Sequence, residues 1–187
     1  MNAPVIVVLA SLLLAACQPS ATVRVSSGGG FQSLQGAALV LKEPLRVAPG
    51  NARVFIQNGQ ATNSGNSLLR GSFDQYQPHC AFEIERVDHG GFTIHPGTFR
   101  ITRVQGALTQ VVMISPLQVA GLQLARGYYG RGASAYHEGY HFWLASERQS
   151  EVMRMTCYGV FAEPPNLYPP TLQEIRQALG AIAEIRP

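Results

Sequence analysis

Residues 137–141 read HEGYH, the run whose residue types and spacing come nearest to catalytic chemistry. Two imidazoles four positions apart on one face of a helix would grip a Zn²⁺ ion. Glu138 between them would take a proton from the metal-bound water, as in a zinc peptidase. His137 and His141 satisfy the spacing, but their surroundings do not suit a helix. Gly127, Gly130 and Gly132 precede the run and Gly139 lies inside it, each weakening a helix by about 1 kcal/mol relative to alanine. Tyr136, Tyr140, Phe142 and Trp143 crowd it and favour an extended chain. On a strand, His137, Gly139 and His141 share one face and Glu138 takes the other, which parts base from ligands. No third ligand is assigned either, because Glu147 follows too closely and the downstream GxxH of metzincins is missing. The expectation is therefore no catalytic residue, no metal and no cofactor. The alternative is a zinc peptidase using His137, Glu138 and His141, or a looser strand-borne metal site drawing also on His79, His89 or His95.

The longer stretch around this run, RGYYGRGASAYHEGYH at residues 126–141, is rich in Gly, Tyr, His and Arg and poor in aliphatics. It reads as a long exposed loop, and Tyr with Arg are the residues most enriched where partners are held. Arg126, Tyr128, Tyr129, Arg131, Tyr136, His137, Tyr140 and His141 are accordingly the expected binding residues. The chain offers no glycine-rich phosphate loop after a strand and no nucleophile elbow.

The elements that must position these residues begin with an export segment. The apolar stretch at residues 4–16 is shorter than the roughly 20 residues that span a bilayer, and it reads as a secretory signal. At its end Leu14, Ala15, Ala16 and Cys17 resemble the lipobox of bacterial lipoproteins. That resemblance implies cleavage before Cys17, lipid on that cysteine, and a membrane partner through the lipidated N-terminus. Gln18 in the next position implies sorting to the outer membrane, facing the periplasm. Several acyl chains on one cysteine make a stable anchor. Residues 1–16 are thus the expected signal peptide, and residues 17–30, which end in three glycines, an expected flexible tether. Residues 31–187 form a single expected domain.

Removal of Cys17 leaves Cys80 and Cys157 in an oxidising compartment, where they are expected to pair. The formal charge is +3 and is carried almost wholly by arginine, Lys42 being the only lysine. No basic run comparable to a nucleic-acid patch is present, so nucleic acid is not an expected partner. An envelope protein is.

Within residues 31–187, short alternating or apolar runs separated by Gly, Pro, Asn and Asp predict a mainly β fold: an antiparallel sandwich or barrel-like domain. Residues 38–41, 53–57, 80–87 and 99–104 are strand-like. Residues 141–146 and 152–161 predict the arms of a hairpin, with Met153, Met155, Cys157 and Phe161 on one side. Cys80 and Cys157 would then join two facing sheets. Thr171 with Glu174 makes a capping-box signature, and Leu172, Ile175, Leu179, Ile182 and Ile185 recur at helical spacing, predicting a C-terminal amphipathic helix. The function these features imply is that of a non-catalytic binding or assembly component of the envelope. Besides the zinc peptidase, a carrier of a small apolar ligand is an alternative.

Overall fold

The computed structural model describes residues 20–62, 74, 76–112, 135–162 and 166–187. Among the described residues the chain is mainly β, built on an eight-stranded antiparallel sheet that curls into a half-barrel, with one helix near its C-terminus. Its strands are β1 (Val23–Ser26), β2 (Gly29–Gln32), β3 (Ala38–Leu41), β4 (Leu45–Val47), β5 (Arg53–Gln57) and β6 (Gln60–Thr62). They continue with β7 (His79–Ile84), β8 (Phe92–Ile94), β9 (Gly97–Val112), β10 (Ala135–Ala145), β11 (Val152–Tyr158) and β12 (Ala183–Arg186). The helix, α1, is Leu172–Leu179. The large sheet runs β12-β3-β9-β10-β11-β7-β5-β6, while β1 with β2 and β4 with β8 form separate two-stranded ribbons.

Alternation along the strands sends one set of side chains into the curl. Leu39, Val54, Ile56, Phe82, Phe99, Ile101, Val104, Phe142 and Met155 are buried there and form one core with Leu172, Ile175 and Leu179 of α1. Ile101 and Val104 are both buried although they lie three residues apart. The register with β10 steps from Ile101 to Arg103 and passes over Thr102, and this bulge restores the inward phase for Val104.

Three expectations are corrected. The first concerns residues 20–30, expected to be a flexible tether with the fold starting near Phe31. Val23 is fully buried, and β1 pairs with β2 across the two-residue turn Ser27–Gly28, with Ser26 opposite Gly29. Gly29 and Gly30 hold φ of +112° and +88°, conformations that glycine adopts at little cost. Glycine and serine serve tight hairpins as well as linkers, so composition alone does not separate the two.

The second concerns the helix, expected to run on through Ile182 and Ile185. The capping box forms, with Thr171 N–H donating to Glu174 Oε2 at 2.7 Å and Thr171 Oγ1 accepting from Glu174 N–H at 3.2 Å. The helix then stops at Gly180, whose φ of +56° turns the chain against Gly59, where an added Cβ would stand 2.5 Å from the Gly59 Cα. Ile182 and Ile185 are buried in the turn and in β12, which pairs with β3. Ile182 is held by the turn and Ile185 shares the inward phase of β12 with Ala183, so their spacing of three does not come from a helix.

The third concerns the disulfide. Cys80 and Cys157 are bonded, but they do not bridge two facing sheets. They sit directly opposite each other on neighbouring strands β7 and β11 of one sheet, with Cα atoms 4.0 Å apart. Phe161 lies beyond the end of β11 and packs on His137 on the convex side of the sheet, away from Met155 and Cys157.

Candidate functional site

HEGYH lies inside β10, between β9 and β11. The stretch expected to end as an exposed loop is strand from Ala135 onward, because each of these residues finds a ladder partner: His137 faces Thr109, Gly139 lies between Ala107 and Tyr158, and His141 lies between Gln105 and Thr156. Glu138 and Tyr140 take the concave phase and the histidines the convex one. Tyr140 is a core residue, 5 % exposed, and its hydroxyl accepts the Arg24 N–H at 3.3 Å. Burial pushes its phenol above the ordinary tyrosine range. Tyr136 pairs across an isolated bridge with Ala162. Cys17, Arg126, Tyr128, Tyr129 and Arg131 lie outside the described residues.

The convex side of β7, β10 and β11 carries two clusters, and no contiguous run of sequence foretells either. In the first, Glu83 is buried and accepts from Arg154 Nε at 3.1 Å and Nη2 at 2.9 Å, and from Thr156 Oγ1 at 2.8 Å. Thr156 Oγ1 also meets His141 Nδ1 at 2.8 Å. With the Thr156 proton directed to Glu83, His141 Nδ1–H donates to Thr156 and its Nε2 carries the lone pair. Burial holds the His141 pKa below the usual histidine value, and the Arg154 charge adds to that effect. The Arg154 guanidinium lies over the Trp143 ring at 5.4 Å and that of Arg103 at 4.8 Å. Trp143 Nε1–H donates to Gln105 Oε1 at 3.1 Å.

In the second cluster, His79 and His137 meet Tyr158 and Phe161. The His137 ring is centred 5.5 Å from Tyr158 and 5.1 Å from Phe161. Both histidines are buried. Burial lowers the His79 pKa to about 4, against the opposing effect of the Gln77 carbonyl 3.1 Å from Nδ1, and burial also lowers that of His137. At neutral pH all three imidazoles are uncharged.

This geometry does not assemble a zincin. His137 and His141 stand four residues apart on a strand, about 13 Å between Cα atoms, and their rings are engaged with different neighbours, His79 and Thr156. Glu138 is on the opposite face. His95 is elsewhere, its N–H donating to Gln149 Oε1 at 2.7 Å, and His89 lines an open cleft with Glu85, Arg86, Asp88 and Glu151. Among the described residues no three His, Cys, Asp or Glu side chains are gathered as a metal ion requires. On the concave side, where a carried apolar ligand would sit, α1 inserts Leu172, Ile175 and Leu179.

The convex arrangement offers the part-buried imidazole of His141, an indole flanked by two guanidinium groups, and the rings of Tyr158 on β11 and Phe161 just beyond it. No family model, curated protein or solved structure matches this chain. Among the described residues no helix is long and apolar enough to cross a membrane.

Proposed function

We propose that this chain is a lipid-anchored protein of a bacterial envelope, held through Cys17 on the periplasmic face of the outer membrane. In this reading it works by binding or assembly rather than by catalysis. The observation that carries the non-catalytic reading is the placement of HEGYH in a paired strand, with Glu138 turned away from His137 and His141. A proton-accepting carboxylate on the far side of a sheet does not reach water on a metal held by those imidazoles. The Cys80–Cys157 bond supports an oxidising compartment. The convex row of Trp143, His141 and Tyr158 is the surface proposed to recognise an envelope partner.

Two experiments test this reading. Cys17→Ser releases the protein from membranes if the anchor is as proposed; unchanged membrane attachment with no lipid on Cys17 overturns it. A photo-crosslinker placed in turn at Gln105, Trp143 and Tyr158 in intact cells captures a defined envelope protein, and no defined capture at any of them overturns the choice of surface. Stoichiometric zinc in the purified protein, with peptidase activity lost in Glu138→Gln, would replace the binding reading with the zinc peptidase.

A further inference from the structure

The chain is fastened to the sheet almost as soon as it leaves the proposed anchor. Ala21 N–H donates to the Val104 carbonyl at 2.8 Å, and Ser20 Oγ accepts the Val104 N–H at 2.9 Å. Three peptide units separate Cys17 from Ser20, a reach of at most about 11 Å. The head-group layer of one leaflet is about 5 to 8 Å deep. A lipid on Cys17 therefore leaves no room for a free tether, and the part of the domain next to Ser20 rests at the bilayer surface.

Four residues further along the chain, β1 carries an unusual set of side chains on its outward face. Arg24 and Phe31 are direct partners across β1 and β2 and so share one face of the hairpin. The Arg24 guanidinium lies over the Tyr168 ring at 5.3 Å and donates to the Pro169 carbonyl at 3.2 Å. Phe31 is 68 % exposed and Tyr168 58 %, high values for aromatic side chains in a folded domain. Exposed aromatics around a fixed cation suit the head-group region, where rings sit at the apolar boundary and a guanidinium meets lipid phosphate.

Resting on the proposal that Cys17 is lipidated, we infer that the face carrying Arg24, Phe31 and Tyr168 seats the domain directly on the head-group layer of the membrane that holds its anchor. The short reach fixes the distance and this face fixes the orientation.

The test uses the full lipidated protein in vesicles of phosphatidylethanolamine and phosphatidylglycerol carrying brominated acyl chains. Wild type supplies the baseline from its single tryptophan, Trp143. Phe31→Trp adds a reporter on the proposed face, and Val87→Trp one on the exposed turn beyond β7. The emission added at position 31 is expected to fall by about half in brominated vesicles, as for a ring at the interface, and that added at position 87 to stay unchanged. Equal emission at position 31 with and without bromine, while mass spectrometry finds lipid on Cys17, overturns the seating and leaves the anchor standing. Absence of lipid on Cys17 in native envelopes overturns both.

Discussion

His137 packs edge to face on His79, ring centroids 5.3 Å apart, and its Nδ1 is buried without a hydrogen-bond partner among the described residues. Two imidazoles in that position tolerate one charge poorly and two still less, so acid works against the folded state.

The pH dependence follows from His79. Its folded pKa of about 4 lies below the ordinary value of 6.5, so the unfolded chain takes up its proton first as pH falls. This contribution is whole above pH 6.5 and is lost progressively down to pH 4, amounting to about 3 kcal/mol. His137 and His141 act in the same direction. Urea unfolding at about pH 7.5 and about pH 4.5 should show a marked loss of stability that His79→Gln reduces; the same loss in the variant would refute the assignment.

Gly139 is required by the sheet and not by a metal motif. A Cβ there would stand 2.1 Å from the Cys157 carbonyl oxygen and 2.9 Å from its carbon, both main-chain atoms. Gly139→Ala is expected to destabilise the domain by about 3 kcal/mol. Gly106→Ala, where nothing lies within 4 Å of the added methyl, should stay within about 0.5 kcal/mol of wild type. Chemical denaturation of the two variants side by side decides it.

Glu83 holds the first convex cluster together. Glu83→Gln leaves Arg154 and Thr156 without their carboxylate, and a loss of about 3 kcal/mol is expected from breaking a buried pair on one side. Because Arg154 lies over Trp143, the tryptophan emission should shift as well. A variant as stable as wild type, with unaltered emission, would show that the network contributes nothing.

Loss of the disulfide should weaken the domain broadly. The bond closes a sequence separation of 77 residues, for which the chain-entropy account gives about 4 kcal/mol. Cys80→Ala with Cys157→Ala should lower the guanidinium midpoint accordingly, and an unchanged midpoint would contradict the prediction.

Local patterning made β7 legible, because alternation at period two is written into 80–84, while β-favouring residues at 38–41 and 53–57 marked β3 and β5 and the polar residues 147–150 between 141–146 and 152–161 marked the β10–β11 hairpin. Thr171 and Glu174 announced the helix start for the same reason, their contact being only three residues long. What stayed hidden depends on contacts far apart in the chain. Nothing near Val23 reveals that it will enter the core, and Ile182 and Ile185 keep helical spacing although Gly180 has already turned the chain. The convex clusters were out of reach altogether: Glu83, Thr156 and His141 meet only because β7, β11 and β10 become neighbours. The extended state of HEGYH was readable from its tyrosines and Gly139. The burial of Tyr140 and His137 was not.

The cross-strand placement of Cys80 and Cys157 has a consequence for alignment. Sliding β11 by one residue along β7 would swap the two sides of that strand, bringing Thr156 into the apolar core and turning Met155 into the polar network around Glu83. A covalent link between directly opposed positions forbids that slip. Oxidation therefore chooses which side of the curl displays polar chemistry, and a chain oxidised in the aligned state keeps that choice through later partial openings.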